Sequence, residues 1–214
     1  MKFLTTIFLF LLTTTVIGKT LKVDPDRVIA IKGDIIPQTM YAAHIQLNEL
    51  IADSKEPITL LINSRGGYVT SGATFMDAIR NLKAKGIKFN CITATQAMSA
   101  AFFIFDECQR RYALHNARLM WHPFRFFFRG AKGREIIEYI NVALIEEKRL
   151  AAKLRKSMGL SKKFFYKSFR NETVWPAKDL HKHVPDYFTL IDSVDGIDNL
   201  FVEHDINDSI FGRR

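Results

Sequence analysis

The chain has 214 residues, 48% of them hydrophobic, and carries a formal charge of +9. That length fits one domain of ordinary size or slightly more, and the apolar fraction is enough to bury a real core. The basic balance favours contact with acidic surfaces, yet the cations are spread along the chain without a long run, so the charge speaks first to solubility.

In chain order, Lys2 precedes an uncharged apolar stretch, Phe3 to Ile17, followed by Val16-Ile17-Gly18 with small or β-branched residues at the −3 and −1 positions. This is the pattern of a secretory signal peptide cleaved after Gly18; the alternative is an uncleaved N-terminal anchor. No later stretch is long and apolar enough to span a bilayer. The expected organisation is a leader (1–18), one domain (19–192) and an acidic, weakly periodic, loosely held tail (193–214), with the mature chain periplasmic or secreted.

Arg27 to Lys32 reads as a strand, and Thr39 to Ala52 as a helix with Met40, Ala43, Leu47, Leu50 and Ile51 on one side. Ile58 to Ile62 is a second, buried strand, ended by a turn at Gly66-Gly67. Ser71 to Leu82 is an amphipathic helix, and Lys88 to Thr95 a third strand. From Ala97 the composition turns to Ala, Met and Phe, which suit a buried helix. Ser99 sits at the changeover and has two readings. It caps the helix through its hydroxyl, or it is a nucleophile held where the helix dipole favours developing negative charge. Taken alone, the stretch favours the cap.

Arg111 to Leu114 and Arg118 to Trp121 read as short strands. Pro123 to Gly133 is an aromatic and basic loop, Arg134 to Ser157 a long helix, and Ser161 to Phe169 a short helix capped by Ser161. Trp175-Pro176-Ala177 starts another helical segment. Strands alternating with helices define an α/β fold with a mostly parallel sheet and surrounding helices. An even cysteine pair in an exported chain reads as a disulfide between Cys91 and Cys108, since a helix antiparallel to the strand brings Cys108 back towards the strand's start. The alternative is two independent buried thiols. Two cysteines this far apart do not make a metal-ligand pattern.

Three stretches resemble the proteolytic subunit of Clp protease, a serine peptidase with the ClpP/crotonase-like fold. They are Leu60 to Gly72, with the Asn63-Ser64-Arg65-Gly66-Gly67 turn; Ala97-Met98-Ser99-Ala100-Ala101-Phe102; and Tyr112 to His122. The resemblance covers Val28 to Asp192 and implies Ser99 as nucleophile and His122 as general base. It also implies Gly66 and Ala100 as oxyanion donors, and a substrate strand paired along Gly67, Tyr68 and Val69. Aligning Trp175-Pro176-Ala177 with the family motif puts Glu172 in the third position of the triad; a one-residue slip gives Asn171. The alternative is that neither contacts His122. The remaining histidines, His44, His115, His181, His183 and His204, read as surface residues.

Arg65 stands where the family has proline and places a cation near the substrate. The long helix matches the family's ring-contact handle, so a homo-oligomer is expected. No phosphate-binding loop is present. With the export signal, this gives the expectation of an ATP-independent serine endopeptidase on peptide or unfolded protein, without cofactor, metal or nucleic acid. The run Phe124-Arg134 offers contact with an anionic membrane surface, or an oligomer contact or lid, the latter being favoured. Rival readings are a non-catalytic assembly or peptide-binding module of the same fold and, less favoured, an acyl-CoA enzyme of the crotonase type.

Overall fold

The computed structural model describes residues 19–126 and 132–197; the expected leader, the middle of the aromatic loop and the end of the tail lie outside them. The elements are β1 (Thr20–Lys22), β2 (Val28–Ile35), α1 (Pro37–Asp53), β3 (Ile58–Gly67), α2 (Val69–Ala84), β4 (Phe89–Met98) and α3 (Ala100–Glu107). They continue with β5 (Arg110–Leu114), β6 (Arg118–Met120), α4 (Gly133–Ser157), α5 (Lys162–Arg170), β7 (Trp175–Pro176), α6 (Ala177–His181), β8 (Thr189–Ile191) and β9 (Ser193–Asp195).

The main sheet runs β2-β3-β4-β5-β8, every neighbouring pair parallel. Parallel neighbours require crossovers, which α1, α2 and α3 supply. Burial on both faces explains why Ile58 to Ile62 is a continuous buried apolar run and not an alternating one. This is the α/β architecture read from the sequence, with the mostly parallel sheet and surrounding helices of the ClpP/crotonase-like fold.

Strand β4 is long enough to serve two partners on one edge. Asn90 to Thr93 pairs with β5, and Gln96 to Met98 pairs with β6. In the second register Ala97 lies opposite Leu119 and Met98 opposite Met120. Strand β7 closes on β6 antiparallel, Trp175 opposite Leu119.

The structure departs from the sequence reading in four places. Ala97 and Met98 extend β4 and do not start α3, because their backbones pair with β6. Strand β3 continues through Gly66-Gly67, which pair with Asp34 and Ile35 after an irregularity at Gly33. Trp175-Pro176 is a strand, with the helix beginning only at Ala177. The tail is held at its start: Ser193 to Asp195 pairs with Thr20 to Lys22, and Val194 and Ile197 are buried with Ile92 and Ile191. The histidine reading changes too. His44 lies edge-on to Phe75 and is partly buried, which pulls its pKa below the ordinary value; His181 packs on Phe188.

Helix α3 is buried over its whole length. On its inner side Phe102 stacks on Trp121, and Trp121 on Phe165, with ring centroids 5.6 Å apart in each pair. At its far end two carboxylates are buried. Glu107 meets Arg80 from α2 and Lys153 from α4, while Asp106 accepts from the Tyr187 hydroxyl at 3.0 Å and faces Lys153 at 3.8 Å. Burial pushes the Glu107 carboxyl up, but Arg80 and Lys153 outweigh it and hold the group below its ordinary value. The Asp106 pKa is raised, chiefly by burial.

Cys91 on β4 and Cys108 at the C-terminal end of α3 form a disulfide, their Cα atoms 5.7 Å apart. Both are buried, so the bond staples the strand that leads into Ser99 to the helix that leaves it. With a sequence separation of 17, closing this loop stabilises the fold by about 3 kcal/mol in the chain-entropy view. Equilibrium urea unfolding with and without reductant should show a loss of that size, and an unchanged midpoint would remove the staple from the account.

Candidate active site

Ser99 is the residue between β4 and α3, with φ 55° and ψ −126°. Only Ser99 and Glu172 among the described non-glycine residues have positive φ. Such a backbone costs of order 1–3 kcal/mol and persists only where the surroundings fix it. Here the Ser99 amide donates to the Met120 carbonyl at 2.9 Å, and the Ser99 carbonyl accepts from Phe102 at 3.0 Å. The hydroxyl makes no capping bond to α3, which decides against the cap reading. The turn aims it instead at His122, whose Nε2 lies 2.7 Å from Oγ.

The register of β4 and β6 produces that meeting. With Met98 opposite Met120, the next residues of both strands leave the sheet side by side. Trp121 then anchors the His122 backbone in the aromatic stack, fully buried between Phe102 and Phe165. The His122 side chain is only 11% exposed. Burial is the largest influence on it and lowers its pKa, with Arg125 adding to the lowering. Glu172, the Pro123 carbonyl and Glu147 pull the other way without prevailing. The ring is therefore neutral at neutral pH and able to take a proton from Ser99.

The structure brings Glu172 to the site and not Asn171, which is exposed at the end of α5. The Glu172 carboxylate does not complete a hydrogen bond to the ring, because its Oε1 is 3.9 Å from His122 Nδ1. Its other oxygen is taken by the Arg125 guanidinium. Although the Pro123 carbonyl is near enough to favour the charged ring, Nδ1 is buried without an acceptor in hydrogen-bond geometry among the described residues.

Of the two expected oxyanion donors, Ala100 is the first residue of α3, where helix geometry leaves the amide without an intrahelical partner. The Gly66 amide is engaged within the chain, donating to the buried Ser64 Oγ at 3.0 Å. Ser64 must yield, or share, before that amide serves a substrate. Gly66 itself is forced to be glycine: φ is +100°, and a Cβ there would lie 2.6 Å from Ser99 Cβ and 2.7 Å from the Met98 carbonyl oxygen. Of the segment expected to pair with a substrate strand, Gly67 alone lies on a strand. The Tyr68 amide donates to the Ile35 carbonyl at 2.7 Å, and Val69 opens α2. The Arg65 side chain is exposed beside this turn.

Sequence reasoning missed Ser64, Trp121 and Arg125. Ser64 stood inside the quoted glycine motif, but nothing in the spacing assigned its hydroxyl to an amide two residues on. Arg125 was read as part of a basic surface run. In that run Phe124 packs edge-on to Phe103 and its amide donates to the Glu147 carboxylate at 2.5 Å, which ties the start of the loop to the body and to α4. Phe127, Phe128 and Arg129 lie outside the described residues. Among the described residues no cluster of three or more His, Cys, Asp or Glu side chains is placed to hold a metal.

A hydroxyl within hydrogen-bond reach of a neutral imidazole, at a helix N-terminus and under a glycine turn, is the constellation of the serine hydrolases. The comparisons narrow that class. The model of the Clp protease family matches residues 14–184, and the chain belongs to that family. It is similar to the ATP-dependent Clp protease proteolytic subunit 2 of Chlamydia abortus (strain DSM 27085 / S26/3), with 34% identity over 98 residues, 45% of this chain. The match spans 47% of that relative, about half its length.

Gly66→Ala gives a direct check on the turn. The new methyl collides with Ser99 and with the Met98 backbone, neither of which is the movable end of a flexible side chain. Reactivity of Ser99 towards an active-site acylating or phosphonylating reagent should fall at least tenfold in folded protein, followed by mass spectrometry.

Proposed function

We propose that the chain is a serine endopeptidase of the Clp proteolytic subunit type, acting without an ATPase on peptides or unfolded proteins outside the cytoplasm. The observation that carries the reading is the 2.7 Å contact between Ser99 Oγ and His122 Nε2, at a strained turn whose hydroxyl has no structural duty. His122 takes the hydroxyl proton as Ser99 attacks the scissile carbonyl, then delivers it to the leaving amine. Ala100, with Gly66 once released by Ser64, stabilises the tetrahedral oxyanion. The leader pattern and the disulfide support an oxidising compartment, where ATP is scarce.

A second reading, a non-catalytic module of the same fold, has specific support in the 3.9 Å gap between Glu172 and His122 and in the occupied Gly66 amide. A fluorophosphonate probe separates the two: it should label the folded wild type and spare Ser99→Ala. Absence of labelling across neutral pH would favour the module. In a peptidase assay, protonation of His122 removes the base, so kcat/KM falls on the acid side. Because the His122 pKa is lowered, the midpoint of that fall should lie below the ordinary imidazole value of about 6.5.

Self-association is part of the proposal. Helix α4 buries Leu150, Ala151 and Leu154 near its C-terminal end, whereas residues 134–149 include no buried side chain. Ile137, Val142 and Ile145 are each more than 60% exposed along that projecting part. Apolar exposure on this scale fits an interface between copies. A Val142→Glu/Ile145→Glu variant should reduce the mass measured by light scattering while leaving the circular dichroism spectrum unchanged.

A further inference from the structure

We propose that Arg125 is a positioning residue that holds Glu172 one hydrogen bond short of His122, so that the catalytic histidine works unassisted until this ion pair opens. The inference rests on the reading of Ser99 and His122 as nucleophile and base. For Nε2 to accept the serine proton, the neutral ring must carry its own proton on Nδ1. That N–H is buried, and the Pro123 carbonyl approaches the ring without offering it an acceptor in hydrogen-bond geometry. The carboxylate that would orient it lies 3.9 Å away, with its other oxygen bound by the Arg125 guanidinium. An unmet buried donor is costly, and the Glu172 carboxylate would have to move by only about one ångström to come within hydrogen-bond reach of it.

The charged groups around His122 are Glu172, Arg125 and Glu147. Glu147 is committed to the Phe124 amide at 2.5 Å, which leaves Glu172 as the carboxylate free to shift. Arg125 opposes that shift twice: it ties the carboxylate down, and its own charge disfavours the imidazolium that forms during attack. The pair is also one that can open. The Arg125 side chain is 62% exposed and that of Glu172 is 38% exposed, so water competes for both partners. Glu172 sits on a turn with φ 49°, where it is fixed by the Glu172 amide to the Phe169 carbonyl and the Thr173 amide to the Ser168 carbonyl. Its side chain, not its backbone, has to move.

The test replaces Arg125 by Gln, alone and with Glu172→Gln, in the oxidised full-length mature protein. Two readouts are taken: the His122 titration by NMR, and the pH profile of kcat on a fluorogenic peptide. Arg125→Gln should raise the His122 pKa and move the acid limb of kcat upward with it. On the alkaline plateau kcat should rise three- to tenfold at similar KM. In the Glu172→Gln background the same substitution should give less than half of either effect. An unmoved or lowered His122 titration in Arg125→Gln overturns the proposal, as does an equal effect in both backgrounds. A fall in kcat with an unchanged limb overturns it as well, since it would mean that Arg125 merely scaffolds the turn. Because the NMR titration needs no turnover, a wild type that fluorophosphonate does not label would defeat the peptidase reading and still leave the restraint measurable.

Discussion

The site depends on one strand having two partners on the same edge. The first part of β4 is held by β5 and the last part by β6, and that second register carries Ser99 and His122 out of the sheet next to each other. The backbone bond from the Ser99 amide to the Met120 carbonyl then locks the crossing. In a parallel pair a slip of one residue would turn every side chain of β6 to the other face and part the hydroxyl from the ring. The buried aromatic column of Phe102, Trp121 and Phe165 opposes such a slip, because Trp121 belongs to the same short segment as the histidine. Packing and pairing therefore fix the same distance independently.

Much of this was legible in the sequence because it follows from period and from composition. The continuous apolar run of β3, the amphipathic α1 and α2, and the Ser161 cap of α5 are local signals, and local signals survive folding well. The cysteine pair was legible through topology, since a strand followed by an antiparallel helix returns the chain to where it began. What the sequence did not carry were the features set by partners distant in the chain. Ala97 and Met98 have helix-forming composition, yet β6 recruits them into the sheet. Trp175-Pro176 looks like the start of a helix, yet β6 pairs with it from the other side. Ser193 to Asp195 has no periodicity worth reading, and becomes a strand because β1 offers an edge.

The same division runs through the site. Ser99, His122 and the glycine turn were singled out by the resemblance to the Clp proteolytic subunit, since the stretch around Ser99 taken alone favoured a helix cap. The alignment had put Glu172 ahead of Asn171, and the turn that ends α5 brings Glu172 near the ring while Asn171 stays exposed. The engagement of the Gly66 amide by Ser64, and of Glu172 by Arg125, are hydrogen bonds between side chains and groups that no spacing rule connects. Both occupy groups that acyl-transfer chemistry would use. The structure thus displays the Ser99 hydroxyl and the His122 ring in contact, with the Gly66 amide and the Glu172 carboxylate turned to internal partners.

The buried carboxylates of α3 have a mechanical corollary. Lys153 lies on α4, past its projecting stretch, and reaches both Asp106 and Glu107 at the far end of the helix that begins beside Ser99. Those charges are costly to strip of partners in so dry a place. The root of α4 is therefore clamped to the far end of the helix that begins at Ala100, while Glu147 on its outer arm holds the Phe124 amide, so a torque applied to that arm is shared between the clamp and the loop that follows His122.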